Sequence, residues 1–127
     1  MSKDITPTAT ELAILGVLWN TGPATVREVH DALSNQTTLG YTSALKMLQV
    51  MHKKGLVKRD ESQRSHVYRA ARPAHATQGG LVRDLIDKAF AGSAAELVVR
   101  ALSASPVSDD ELDRIRELID QKDRERE

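Results

Sequence analysis

The sequence predicts a mainly α-helical protein carrying one small β-hairpin, and three observations predict it. Four Ser/Thr-x-x-Glu sequences each open an apolar-periodic segment. Gly or Pro punctuates the chain between those segments. Strand-like alternation is confined to two short runs, Leu56–Arg59 and His66–Ala70.

Thr8/Glu11 opens a first helix over Ala9–Asn20, burying Leu12, Leu15, Leu18 and Trp19 and ending before Gly22-Pro23. In such a pair the hydroxyl satisfies a free backbone N–H while the glutamate reaches back to the cap. Thr25/Glu28 opens a second helix over Val26–Ser34, burying Val29 and Leu33. A third covers Thr42–Lys54 and stops at Gly55, the residue expected at a left-handed C-terminal cap. The two strands follow, with Asp60–Ser65 as their turn. Ala71–Gly80 (ARPAHATQGG) is rich in breakers and is either a linker or a weakened helix start.

Three apolar stripes come next. Leu81, Val82, Leu85, Ile86, Ala89 and Phe90 form one. After Ala91-Gly92, Ser93/Glu96 opens a second with Leu97, Val98, Ala101 and Leu102. After Pro106, Ser108/Glu111 opens a third with Leu112, Ile115, Leu118 and Ile119. Asp120–Glu127 is highly charged and expected to fray.

The chain has 127 residues, enough for one ordinary domain or a small head with an interaction tail. Net charge is zero, but residues 1–75 carry ten Lys/Arg against six Asp/Glu, and residues 76–127 carry eight against twelve. The halves are therefore expected to have different jobs. Cysteine is absent, which excludes disulfides and thiolate metal sites and fits a reducing cytoplasm. No apolar run approaches the roughly 18 residues of a membrane span, and no signal-peptide core opens the chain. Four aromatics (Trp19, Tyr41, Tyr68, Phe90) make a modest core, which a partner that completes the burial would help. There is no P-loop, no G-x-S-x-G and no H-E-x-x-H, and His30, His52, His66 and His75 show no ligand spacing. No catalytic activity, metal or cofactor is expected.

Positive charge concentrates in Leu39–Arg72, which holds eight Lys or Arg and only two acids, Asp60 and Glu61. A basic helix followed by a basic hairpin is the layout of a winged helix-turn-helix, whose helix enters the DNA major groove. At 100° per residue, Ala44, Met47, Leu48 and Met51 fall on the core side of the third helix. Thr42, Lys46, Gln49 and Lys53 fall opposite, with Ser43 at the N-terminal flank. Hydroxyls and amides suit base edges, and lysines suit phosphates. Leu45 also points outward and either meets a thymine methyl or packs on a neighbour. In the hairpin, Arg64 sits at the tip while Lys58, Arg59 and Arg69 lie on the strands. The alternatives are a solvated helix surface and an edge-strand charge set that only keeps the protein soluble. The absence of acids from Leu39 to Arg59 favours a ligand-facing surface.

The run Tyr41-Thr42-Ser43-Ala44-x-x-Met47-Leu48-x-x-Met51-x-Lys53-Lys54-Gly55-Leu56-Val57 resembles the recognition-helix signature of penicillinase-repressor-type regulators, the BlaI/MecI/CopY family. Thr10-Glu11-Leu12-x-Ile14-Leu15-x-x-Leu18-Trp19 is similar to that family's first helix. Phe90-Ala91-Gly92-Ser93 with Leu97-Val98 is similar to its dimerisation region, and the matches extend from about Thr10 to Ile119. The resemblance implies a winged-helix head (residues 1–72), a helical dimerisation module (residues 73–127) and a homodimeric repressor on a palindromic operator. Its implied DNA contacts include Tyr41 beside the outward residues named above. It also implies relief of repression through a membrane-bound metalloprotease sensor and cleavage in the dimerisation module. The scissile Asn-Phe of the family's β-lactam-responsive members reads Arg100-Ala101 here, so that bond is not carried over. The C-terminal cysteines of copper-responsive relatives are missing. A rival reading stays open: a winged helix whose basic face binds an acidic protein partner.

Overall fold

The computed structural model describes residues 6–126. Six helices and a three-stranded sheet follow in the order α1 (Ala9–Thr21), β1 (Ala24–Thr25), α2 (Val26–Leu33), α3 (Tyr41–Lys54), β2 (Val57–Asp60), β3 (Val67–Ala70), α4 (Ala74–Ala89), α5 (Ala94–Ala104) and α6 (Asp109–Glu125). The chain divides into two compact units, Met1–Val82 and Arg83–Glu127. Among the described residues no helix is long and apolar enough to cross a membrane.

The helix starts are set by their caps. Thr8, Thr25 and Ser108 each make the complete reciprocal box with the glutamate three residues on. At Ser93 only half of it forms: the hydroxyl accepts from the Glu96 backbone N–H. Glycine closes α1 at Gly22 and α3 at Gly55. Gly55 closes α3 at φ 83°, the left-handed region that a side chain resists, and Leu56 N–H bonds back to Met51 O at 2.9 Å.

The first unit encloses the core. Ile14, Leu15 and Leu18 of α1, Val26, Val29 and Leu33 of α2, and Ala44, Leu48 and Met51 of α3 are buried. Ala24, Val57 and Tyr68 close it from the sheet. Each large aliphatic side chain so buried contributes about 1.5–3 kcal/mol. The sheet is antiparallel with order β1-β3-β2; Tyr68 pairs with Ala24 on one side and Arg59 on the other. Trp19 Nε1 donates to Arg72 O at 2.9 Å, fastening the end of α1 to the chain leaving the hairpin.

Several expectations need correction. Leu12 and Trp19 are only half-buried, while Ile14 and the acid Glu11 take the interior positions of α1. Met47 is half-buried against the core rather than within it. β1 is an additional strand, two residues long and defined by its pairing with β3. Of the two readings open for Ala71–Gly80, the helix start holds: α4 starts at Ala74 and runs through Gly79-Gly80. Asp120–Glu125 continues α6, with a Lys122–Glu125 ion pair at 3.7 Å, and Glu127 lies outside the described residues.

Candidate nucleic-acid interface

α3 presents two opposed faces. Ala44, Leu48 and Met51 are 0% exposed, whereas Tyr41, Thr42, Ser43, Lys46, Gln49 and Lys53 all face solvent. No acid lies on this helix, and its last turn carries His52, Lys53 and Lys54. Leu45 is half-buried and packs on the core, which of its two open roles is the packing one. The helix begins one residue earlier than its sequence suggests, at Tyr41, and Gly40 offers no side-chain cap. Its first N–H groups thus remain available at the positive end of the helix dipole.

Arg27 belongs beside these residues, though sequence reading passed over it. Its guanidinium lies 4.6 Å from the Tyr41 ring centroid, a cation–π contact from α2 onto the start of α3. The His30 ring meets the same tyrosine edge-on, with centroids 6.2 Å apart at 72°. The missed signal was its isolation: Arg27 is the one Lys or Arg between Lys3 and Lys46.

The hairpin sorts its charges by face. Lys58 and Arg69 stand directly opposite across β2 and β3, both exposed. Like charges so placed destabilise a bare sheet, and an anion between them removes the penalty. Arg59 alternates to the other face, opposite the buried Tyr68. Its Nε and Nη2 lie 2.8 and 2.6 Å from Glu61 Oε2. Asp60 Oδ1 accepts from Ser62 N–H at 2.9 Å and shapes the connection, in which Arg64 is exposed. The structure therefore gathers Tyr41, Thr42, Ser43, Lys46, Gln49 and Lys53 on one solvent-facing side of α3. It leaves Arg64 free in the connection and sets Arg59 apart. Among the described residues, no three His, Cys, Asp or Glu are grouped to hold a metal ion.

A family model described as the penicillinase repressor matches residues 7–121. The chain belongs to the penicillinase repressor family. It is 34% identical over 111 residues to the transcriptional regulator BlaI of Mycobacterium tuberculosis, in strains CDC 1551 / Oshkosh and ATCC 25618 / H37Rv, covering 86% of this chain and 79% of the relative. It is also similar to the solution structure of the Bacillus licheniformis BlaI monomeric form in complex with the blaP half-operator, with TM-score 0.50 and 25% identity. That likeness covers 59% of this chain and 92% of that one. The BlaI-type family resemblance and the winged-helix fold class expected from the sequence both hold. The penicillinase repressors are transcriptional regulators, so the chain is not classed as an enzyme.

In this BlaI-type regulator the C-terminal helices have a contrasting surface. No residue of α4, α5 or α6 is buried. Leu81, Ile86, Phe90, Leu97, Leu112 and Ile115 are half-buried, and Leu85, Val98, Leu102, Leu118 and Ile119 are exposed. Among the described residues nine large hydrophobics are exposed, and seven of them lie between Val82 and Ile119.

Proposed function

We propose that this protein is a DNA-binding transcriptional repressor that acts in the cytoplasm as a homodimer on a palindromic operator. Residues 1–72 form the reading head and residues 73–127 the dimerisation module. The observation that carries the reading is α3 itself: Ala44, Leu48 and Met51 fully enclosed, and Thr42, Ser43, Lys46, Gln49 and Lys53 turned outward with no acid among them. Hydroxyl, amide and ammonium groups on one helix face match base edges and phosphates in a major groove. The similar Bacillus licheniformis BlaI was solved in complex with a half-operator, which supports the same use of this head.

The uncovered stripes from Leu81 to Ile119 support pairing with a second copy. Exposed apolar area of this extent marks an interaction surface. Two heads held together make the second DNA contact effectively intramolecular. Their α3 helices then address half-sites about 34 Å apart, or a multiple of that. Repression ends when proteolysis or another signal acts through the dimerisation module. A membrane-bound metalloprotease sensor is the partner that the family resemblance suggests.

The test is a titration of the protein against duplex from its own promoter and against a scrambled duplex of equal composition. Salt-sensitive binding with preference for the promoter duplex is expected. Equal, weak binding to both, together with retention on an acidic polypeptide, would favour a protein-interaction module instead.

A further inference from the structure

We propose that Glu61 is a specificity-determining residue: it serves as a built-in counter-ion for Arg59, so that Arg59 engages a DNA phosphate only by exchanging a carboxylate for it. This rests on the duplex-binding reading above and adds to it a penalty on non-specific binding.

Both Arg59 Nε and Nη2 converge on one carboxylate oxygen, Glu61 Oε2, at 2.8 and 2.6 Å. Two adjacent guanidinium donors are the group that would otherwise fork onto a phosphate. The pair is asymmetric in exposure, since the Arg59 side chain is 21% exposed and that of Glu61 54%. The carboxylate is therefore the more exposed member of the pair. Arg59 keeps it ionised, holding its carboxyl below the ordinary value, with His66 and His52 adding to the effect.

The contrast with the neighbouring cations is the second support. Among the described residues, Lys58, Arg64 and Arg69 form no ion pair, although they share the hairpin with Glu61. The other hairpin acid, Asp60, is engaged by the Ser62 backbone N–H, which leaves Glu61 as the one acid committed to a cation. Non-specific affinity is set by how many phosphates are neutralised, so one withheld cation lowers it for every sequence. A well-fitted operator can recover the exchange through its other contacts, which widens the ratio between specific and non-specific binding.

The experiment compares wild type, Glu61→Gln, Arg59→Gln, the double variant and Lys46→Ala on a random-sequence duplex, by fluorescence anisotropy. Glu61→Gln should bind more tightly at low salt. Between about 50 and 200 mM salt it should lose about 3.5-fold more affinity than wild type, the cost of one further phosphate contact. In the Arg59→Gln background the same change should add no such increment, because Glu61 acts through Arg59. A wild-type salt slope in Glu61→Gln overturns the proposal, as does an equal increment in both backgrounds. Lys46→Ala separates the levels. If it flattens the slope while Glu61→Gln matches wild type, only this inference fails; if no protein binds the duplex salt-dependently, both readings fail.

Discussion

Lys54 Nζ donates to Glu11 Oε2 at 2.8 Å, joining the last turn of α3 to the first turn of α1. Glu11 is almost wholly enclosed, and its other oxygen accepts from Thr8 N–H at 2.8 Å. One residue thus caps α1 and anchors the helix that carries the exposed basic face. Burial pushes its carboxyl up, but Lys54 and Thr8 outweigh that and hold it below the ordinary 4.5.

The sign of the pH effect follows from that depressed value. The contribution is present above the unfolded-state pKa and is lost as pH falls below it and through the folded-state value. Glu11→Gln should cost about 1–3 kcal/mol at neutral pH and remove part of the acid sensitivity. Urea unfolding at neutral pH and at about pH 3.5 measures both. A variant that loses stability equally at the two pH values would contradict the assignment.

Gly79 and Gly80 lie inside α4, and a Cβ at either meets no atom within 4 Å. Glycine in an exposed helix interior costs about 1 kcal/mol relative to alanine. Replacing both with Ala should raise helical circular dichroism and add about 1–2 kcal/mol of stability. Loss of helicity would mean that the glycines serve a backbone need that α4 does not display.

These two sites show what was legible in the residues and what was not. Caps were legible because Ser/Thr-x-x-Glu is a local bond pattern, and three of the four boxes close fully. The faces of α3 were legible because one angular repeat separates Ala44, Leu48 and Met51 from the outward set. Ala71–Gly80 stayed open between linker and helix start because glycine weakens a helix locally, while the surrounding sequence decides whether it continues. β1 was invisible because a two-residue strand exists only through its pairing with Tyr68 and Val67. Glu11 read as a cap alone, since its burial depends on Lys54, 43 residues away. Arg59 counted as one more basic residue; that it faces Tyr68 and is held by Glu61 depends on strand register.

Arg27 offers a test of the α2 edge of the interface. Its guanidinium lies 4.6 Å from the Tyr41 ring, and on the proposed reading it would meet a backbone phosphate beside the start of α3. Arg27→Ala should reduce the salt slope of duplex binding by about 0.9, while Tyr41→Phe, which keeps the ring, should leave it intact. A slope unchanged in Arg27→Ala would remove α2 from the interface.

The uncovered stripes make a separate prediction. Leu97→Asp combined with Leu118→Asp should leave the first unit folded, with the Trp19 environment reporting this by fluorescence, and should yield a monomer with poor operator affinity. Analytical ultracentrifugation decides it. An intact dimer would assign these stripes to another role.

If the outward face of α3 lies against a DNA backbone, as proposed, Lys46 neutralises one phosphate there. Affinity of wild type and Lys46→Ala for promoter duplex, measured across a salt series, should show weaker binding in the variant and a slope shallower by about 0.9. Superimposable salt dependences for the two proteins would contradict it.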